Sequence, residues 1–215
     1  MKGYANNARC PWVDLSKPDY VEYHDQEWGV PVHDDKVLFE FLTLEAAQAG
    51  LSWYTVLRKR EAYRQAFAGF DPEKVARFGK RQIEALIKNP GIIRNRAKIV
   101  SAINNAARFL DVQEEFGSFD SYIWRFVDGR PILHHLRKLN DYPSTSAESD
   151  AMSKDLKQRG FKFVGSTICY AHMQATGMVN DHVTDCFRRQ EILQQFPNSV
   201  SLRKTQPHGR RSSRS

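Results

Sequence analysis

The sequence predicts an all-α protein. Apolar residues recur at helical spacing through most of the chain, glycine and proline fall where those stripes stop, and no run alternates as hairpin strands do. No internal repeat breaks the pattern. In residues 34–49, Leu38, Phe41, Leu42 and Ala49 form the first stripe, and Gly50 supplies a stop. Ser52 then caps a helix carrying Trp53, Val56, Leu57 and Tyr63 to about Phe67. Asp71, Pro72 and Glu73 mark another start, with proline at the first helical position, where no N–H is missed. Ile83, Leu86 and Ile87 predict a short amphipathic helix ended by Pro90 and Gly91, and Ile99, Ile103, Ala106 and Leu110 a longer one. Residues 122–127 give a further short helix. Past a turn at 128–131, the spacing of Thr145 and Glu148 fits a capping box that opens a helix through Met152 and Leu156 to Arg159.

Residues 156–176 form a hairpin of helices. Gly160 ends the first helix in a left-handed turn, Phe161 to Val164 make an apolar bend, and Gly165, Ser166 and Thr167 open a second helix reaching Gly177. Such a layout can aim backbone N–H groups and the positive end of a helix dipole at a DNA phosphate, assisted by Lys162. A plain αα corner has the same pattern.

With 215 residues, 41% hydrophobic and 27% charged, the chain is long enough for a real core and has the balance of an ordinary globular protein. No window approaches a membrane span, no secretory signal opens the chain, and three cysteines do not make a disulfide framework, so a cytoplasmic location is expected. The net charge of +7 suggests a polyanionic partner, yet five of the 32 basic residues lie in the last thirteen positions, leaving residues 1–202 with 27 basic against 25 acidic. Residues 1–195 therefore read as one domain, and 196–215 as a basic tail, disordered by composition. That tail either adds salt-sensitive attraction for phosphates or serves only solubility.

Cys10, His24, His182 and Cys186 are the one set of soft donors that makes a four-coordinate site, with His182 and Cys186 four apart as if on one helix face. Two thiolates and two imidazoles would fill a tetrahedron around Zn²⁺ and clamp the two ends of the domain together, although each element alone is commoner as core or surface. Cys169 reads as a small core residue, and His33, His134, His135 and His172 lack ligand spacing. Glu45 lies inside the apolar stripe, where a carboxylate must be paired or line a cavity. Trp12, Tyr20, Tyr23, Trp28 and Trp53 lie near it in sequence, a composition suited to a flat heteroaromatic ligand with N–H donors, or simply to a core in which Glu45 meets a buried arginine.

The segments YHDQEWGVP (23–31), LEAAQAGLSW (44–53), GIIRNR (91–96), RGFKFVGSTICY (159–170) and VNDH (179–182) together resemble the DNA-3-methyladenine glycosylase I family, in order and spacing from about Cys10 to Cys186. The resemblance implies a bacterial, cytoplasmic base-excision enzyme of the helix-hairpin-helix class, which binds double-stranded alkylated DNA, flips out 3-methyladenine and hydrolyses its glycosidic bond, leaving an abasic site. It implies a structural zinc at Cys10, His24, His182 and Cys186, no small-molecule cofactor and a monomer. It also implies Glu45 as the acidic pocket residue, with Tyr23, Trp53, Tyr20, Trp12 and Trp28 around the base. Lys162, Gly165, Ser166 and Thr167 are then expected on DNA, with Gly50 and Leu51 at a wedge beside the pocket. No lysine stands in an obvious nucleophile setting, so no lyase step is expected. Asp181 is a candidate for stabilising an oxocarbenium-like state, although the resemblance implies a family that does not depend on such an aspartate. Two rivals remain at this level: a binding module without turnover, and a catalytic zinc hydrolase, which would need an open coordination position.

Overall fold

The computed structural model describes residues 8–197 and 201–202. Its helices are α1 (Pro18–Gln26), α2 (Asp35–Gln48), α3 (Trp53–Leu57), α4 (Arg60–Ala66), α5 (Pro72–Ala76), α6 (Lys80–Lys88), α7 (Arg96–Phe116), α8 (Phe119–Ile123), α9 (Ala147–Gln158), α10 (Ser166–Ala175) and α11 (Phe187–Gln195). None of these is long and apolar enough to cross a membrane. The exception to an all-helical description is small. Ile132–Leu133 (β1) pairs in parallel with Val179–Asn180 (β2) and with Ser201–Leu202 (β3), the last inside the segment read as a tail. The rest of that tail beyond residue 197 lies outside the described residues.

Side-chain caps set most of the helix starts. Asp34 accepts from the Val37 N–H, Ser52 from Thr55, Asp71 from Lys74 and Asn95 from Lys98. Three expectations shift by local chemistry. The helix predicted from Ser52 to Phe67 is two helices, because the chain breaks at Arg58 and Lys59. The capping box sits one residue later than predicted, with Ser146 as cap and Ser149 as its partner. Residues 122–127 are the end of α8 followed by a 3₁₀ turn at Trp124–Val127. Two helices carried no sequence expectation, α1 and α11.

Helix α2 is the axis of the molecule. Every residue from Leu38 to Ala47 is buried, not only one stripe, because α7, α8, α10 and the α3 segment pack around it. One core joins Leu38, Phe39 and Leu42 to Phe109, Phe119 and Tyr170. A second, smaller core joins Cys10, Tyr23, Trp28 and Phe41 to Ala175, Val183 and Cys186. The second core is where both ends of the domain meet, and it carries the site.

Candidate functional site

A cleft of about 250 Å³ opens against the second core. Successive turns of α1 present Tyr20 and Tyr23 to it, and Trp12 and Trp28 enter from the segments flanking that helix. Helix α2 contributes Glu45 and Gln48, α3 contributes Trp53 at its first position, and α10 contributes Ala171 and Gln174. Leu139, Tyr142 and Pro143 complete the wall. The rings pack on one another at 4.9 Å for Trp12 and Trp28, 5.1 Å for Trp12 and Tyr20, and 5.3 Å for Tyr23 and Trp53. Thus all five predicted aromatics and Glu45 share one cavity. Gln48, Tyr142 and Gln174 were not expected there.

Glu45 is 3% exposed, and its Oε2 has no hydrogen-bond partner among the described residues. Burial pushes its carboxyl up to about 8. Trp12 Nε1 and Trp53 Nε1 are likewise buried and unpartnered, so the cleft holds an acceptor and two donors that the protein itself does not satisfy. Tyr23 is raised well above its ordinary value by burial and by the nearby Glu45. The buried arginines that could have neutralised Glu45 are spent elsewhere: Arg60 is bonded to Glu40 and Glu27, Arg188 to Glu191, and Arg189 to the carbonyls of His134 and His182. The core-pair alternative for Glu45 therefore fails.

Asp181 differs. It is fully buried behind the cleft and accepts hydrogen bonds from His134 Nδ1 at 2.6 Å, Tyr170 at 2.7 Å and Gln174 Nε2 at 2.8 Å. Its oxygens are occupied by the protein, which removes the basis for placing it on a reacting sugar.

Cys10, His24, His182 and Cys186 are all buried, and their donor atoms lie within 4.8 Å of one another. Cys10 Sγ and Cys186 Sγ each stand 3.4 Å from His182 Nδ1, and Cys186 Sγ is 3.5 Å from His24 Nε2. Tetrahedral zinc with ordinary bond lengths sets sulfur and nitrogen about 3.5 Å apart, so the donor set fits that ion. The outward nitrogens support this: His24 Nδ1 meets Asp25 at 2.8 Å, itself gripped by Arg9, and His182 Nε2 meets the Trp28 carbonyl at 2.9 Å. Each inward nitrogen is thereby left as a donor of its lone pair. Cys186 is drawn strongly toward the thiolate by the Cys10 thiol and the two imidazoles, while burial raises Cys10. One expectation needs correcting. His182 and Cys186 are not on a helix; a turn at Thr184 and Asp185 joins them, and Cys186 caps the start of α11.

Residues 159–165 form the bend that joins α9 to α10. Gly160 has φ +89°, which favours glycine, and Phe163 adopts a left-handed φ of +54° with its ring partly exposed. Buried Asn105 on α7 holds the bend by a two-point clamp, accepting from the Lys162 N–H at 2.8 Å and donating to the Lys162 carbonyl at 2.9 Å. Asn104 donates to the Gly160 carbonyl. Lys162 and Thr167 point to the exposed side, Gly165 caps α10, and Ser166 bonds Ser149. Gly50 takes φ +78° after α2, and Lys98, on the same helix as Asn105, caps the end of α2 by donating to the carbonyls of Ala47 and Ala49. Leu51 is left 41% exposed two residues before the cleft residue Trp53. Asn105 had a sequence signal, a polar residue among the buried positions of α7; Gln174 and Tyr142 had none.

Solved structures similar to this chain include DNA glycosylases. A crystal structure of a 3-methyladenine DNA glycosylase I superposes with TM-score 0.82 at 50% identity, covering 84% of this chain and 98% of that one. The Staphylococcus aureus 3-methyladenine DNA glycosylase I, from a study of 3-methyladenine recognition, gives TM-score 0.79 at 39% identity, covering 80% and 92%. In sequence, the Escherichia coli (strain K12) DNA-3-methyladenine glycosylase 1 is 51% identical over 178 residues, which is 83% of this chain and 95% of the relative. The Haemophilus influenzae DNA-3-methyladenine glycosylase is 47% identical over 179 residues, 83% and 96% of the two chains. The methyladenine glycosylase family profile matches residues 12–189, and the chain belongs to that family.

Proposed function

We propose that this protein excises 3-methyladenine from double-stranded alkylated DNA by hydrolysis, with no lyase step. The observation that carries the reading is the unpartnered carboxyl group of Glu45 inside an aromatic cleft. Methylation at N3 makes the adenine nucleotide cationic, so the base leaves readily as a neutral molecule. Glu45 accepts a hydrogen bond from the N–H edge of the flipped base, and its ionised form pairs with the positive ring. Tyr23 and Trp53 supply aromatic faces for the same cation, with Tyr20, Trp12 and Trp28 closing the cavity. As the C1′–N9 bond breaks, its electron pair goes to the base, water adds at C1′ and loses a proton, and an abasic site remains.

The α9–α10 segment acts as a helix-hairpin-helix, with Lys162 and the backbone of Gly165, Ser166 and Thr167 on the phosphate backbone. Gly50 and Leu51 fill the space that the extruded base leaves. Cys10, His24, His182 and Cys186 hold a structural zinc, which contributes folding energy and whose four protein donors leave no position for an activated water.

The primary test is release of free 3-methyladenine from methylated duplex DNA by wild type and by Glu45→Gln, both confirmed folded. Losing the charged acceptor is expected to slow release roughly 10- to 100-fold. Equal release would remove Glu45 from the mechanism, and no release by the wild type would favour a non-catalytic binding module. For the metal, one zinc per chain is expected, and Cys186→Ala is expected to lose zinc and thermal stability together; a folded but inactive variant would favour metal catalysis instead.

A further inference from the structure

We propose that the exposed turn at residues 137–140, on the rim of the cleft, is a contact for the DNA strand that carries the lesion. Arg137 and Lys138 take the phosphates flanking the extruded nucleotide, and Leu139 packs against the sugar or the neighbouring base. This contact rests on the glycosylase reading and adds a surface separate from the α9–α10 hairpin and the Gly50 turn.

Position, rigidity and charge point the same way. Leu139 is 55% exposed and also lines the base cleft, so its apolar surface stands at the mouth through which a nucleotide must pass. A single exposed leucine needs no explanation elsewhere on a protein, but here two exposed cations precede it in the chain. Neither Arg137 nor Lys138 forms a salt bridge among the described residues, whereas Arg96, Arg108 and Arg159 are each paired with an acid.

The turn is built to hold them. The Asp141 carboxylate accepts from the backbone N–H groups of Arg137 at 2.9 Å and Lys138 at 3.1 Å, and the Asp141 N–H donates to the Lys138 carbonyl. Those backbone bonds hold the Asp141 carboxyl below its ordinary range, with the two cations adding to the effect. The acid offsets part of their charge and leaves a net positive tip. On one side the turn is tied to buried Leu136, whose carbonyl accepts from Thr184 at 2.8 Å; on the other it runs into the cleft residue Tyr142. An exposed apolar side chain on a rigid, cationic turn at a base-sized opening matches a polyanionic strand with one nucleotide displaced.

The test uses the full chain with Arg137→Ala and Lys138→Ala combined, and separately Leu139→Ser. Affinity for a duplex with an abasic-site analogue is measured by fluorescence anisotropy from about 50 to 200 mM salt. Free 3-methyladenine binding is followed by tryptophan fluorescence. The double variant is expected to bind duplex about tenfold more weakly at low salt, with the slope of log affinity against log salt smaller by about 2. Its affinity for free base is expected to stay unchanged. Leu139→Ser is expected to weaken duplex binding several-fold without changing the salt slope. Wild-type affinity and slope in the double variant, or wild-type duplex affinity in Leu139→Ser, would overturn the proposal. If the wild type releases no 3-methyladenine while the salt slope still falls in the double variant, the glycosylase reading fails and the strand contact stands.

Discussion

Glu45 and Asp181 are two carboxylates buried in one helical body, and their surroundings are opposite. Asp181 is surrounded by donors from His134, Tyr170 and Gln174. Glu45 faces a cavity with an oxygen that nothing in the protein satisfies. A buried acid saturated by its own fold organises structure, while one left open is reserved for a ligand that brings the missing donor. The difference arises from position. Glu45 projects from the central helix into the cleft, whereas Asp181 follows β2 and is covered by α10 and the segment holding His134.

The contrast is sharpest in the pH dependence of stability. The folded-state pKa of Glu45, about 8, lies above its ordinary 4.5, so the folded protein keeps a proton that the unfolded chain loses across that interval. Its contribution is fully present below pH 4.5 and is lost as pH rises to 8, at up to about 1.4 kcal/mol per pH unit. Glu45→Gln removes this slope. Denaturant melts at pH 5 and pH 8 should therefore show a larger drop for wild type than for the variant, the difference amounting to a few kcal/mol. Equal drops would mean that Glu45 is already ionised in the free protein and has a partner.

Asp181→Asn tests the other half. An amide in place of the carboxylate sets an N–H against existing donors, which is expected to cost about 2–3 kcal/mol of stability. Release of 3-methyladenine per folded molecule should stay within a few-fold of wild type. A large fall in the rate constant with the melting temperature intact would return Asp181 to the chemistry.

Much of this pair was visible before folding. A carboxylate interrupting the stripe of Leu38, Phe41 and Leu42 had to be costly or functional, and the caps at Ser52 and Asp71 are local hydrogen bonds that the sequence states directly. The four soft donors were also readable as a set, and they do converge. Their local geometry was not, because a spacing of four fits a turn such as that at Thr184 and Asp185 as well as it fits a helix. Gln174, Tyr142 and Lys98 were illegible for a different reason. Each acts through a partner more than ten positions away or a cavity wall, and neither propensity nor periodicity records such neighbours.

Asn105 extends the same reasoning to the hairpin and carries the smallest expected effect. It is 1% exposed, and both ends of its amide are used on one residue, Lys162, so the clamp resembles Asp181 in being saturated by the fold. Yet what it holds is a surface, the bend beside α10, where Phe163 keeps an unfavourable left-handed backbone. Asn105→Ala leaves the Lys162 N–H and carbonyl near the surface, where water can replace part of the loss, so the expected stability cost is about 1–2 kcal/mol. Duplex DNA binding should weaken several-fold as the bend loosens, while affinity for free 3-methyladenine, bound in a cleft that neither Asn105 nor Lys162 lines, should not change. Equal weakening of both ligands would show that the hairpin and the cleft are one cooperative unit, and the separation between fold-saturated and ligand-reserved polar groups would have to be redrawn around that unit.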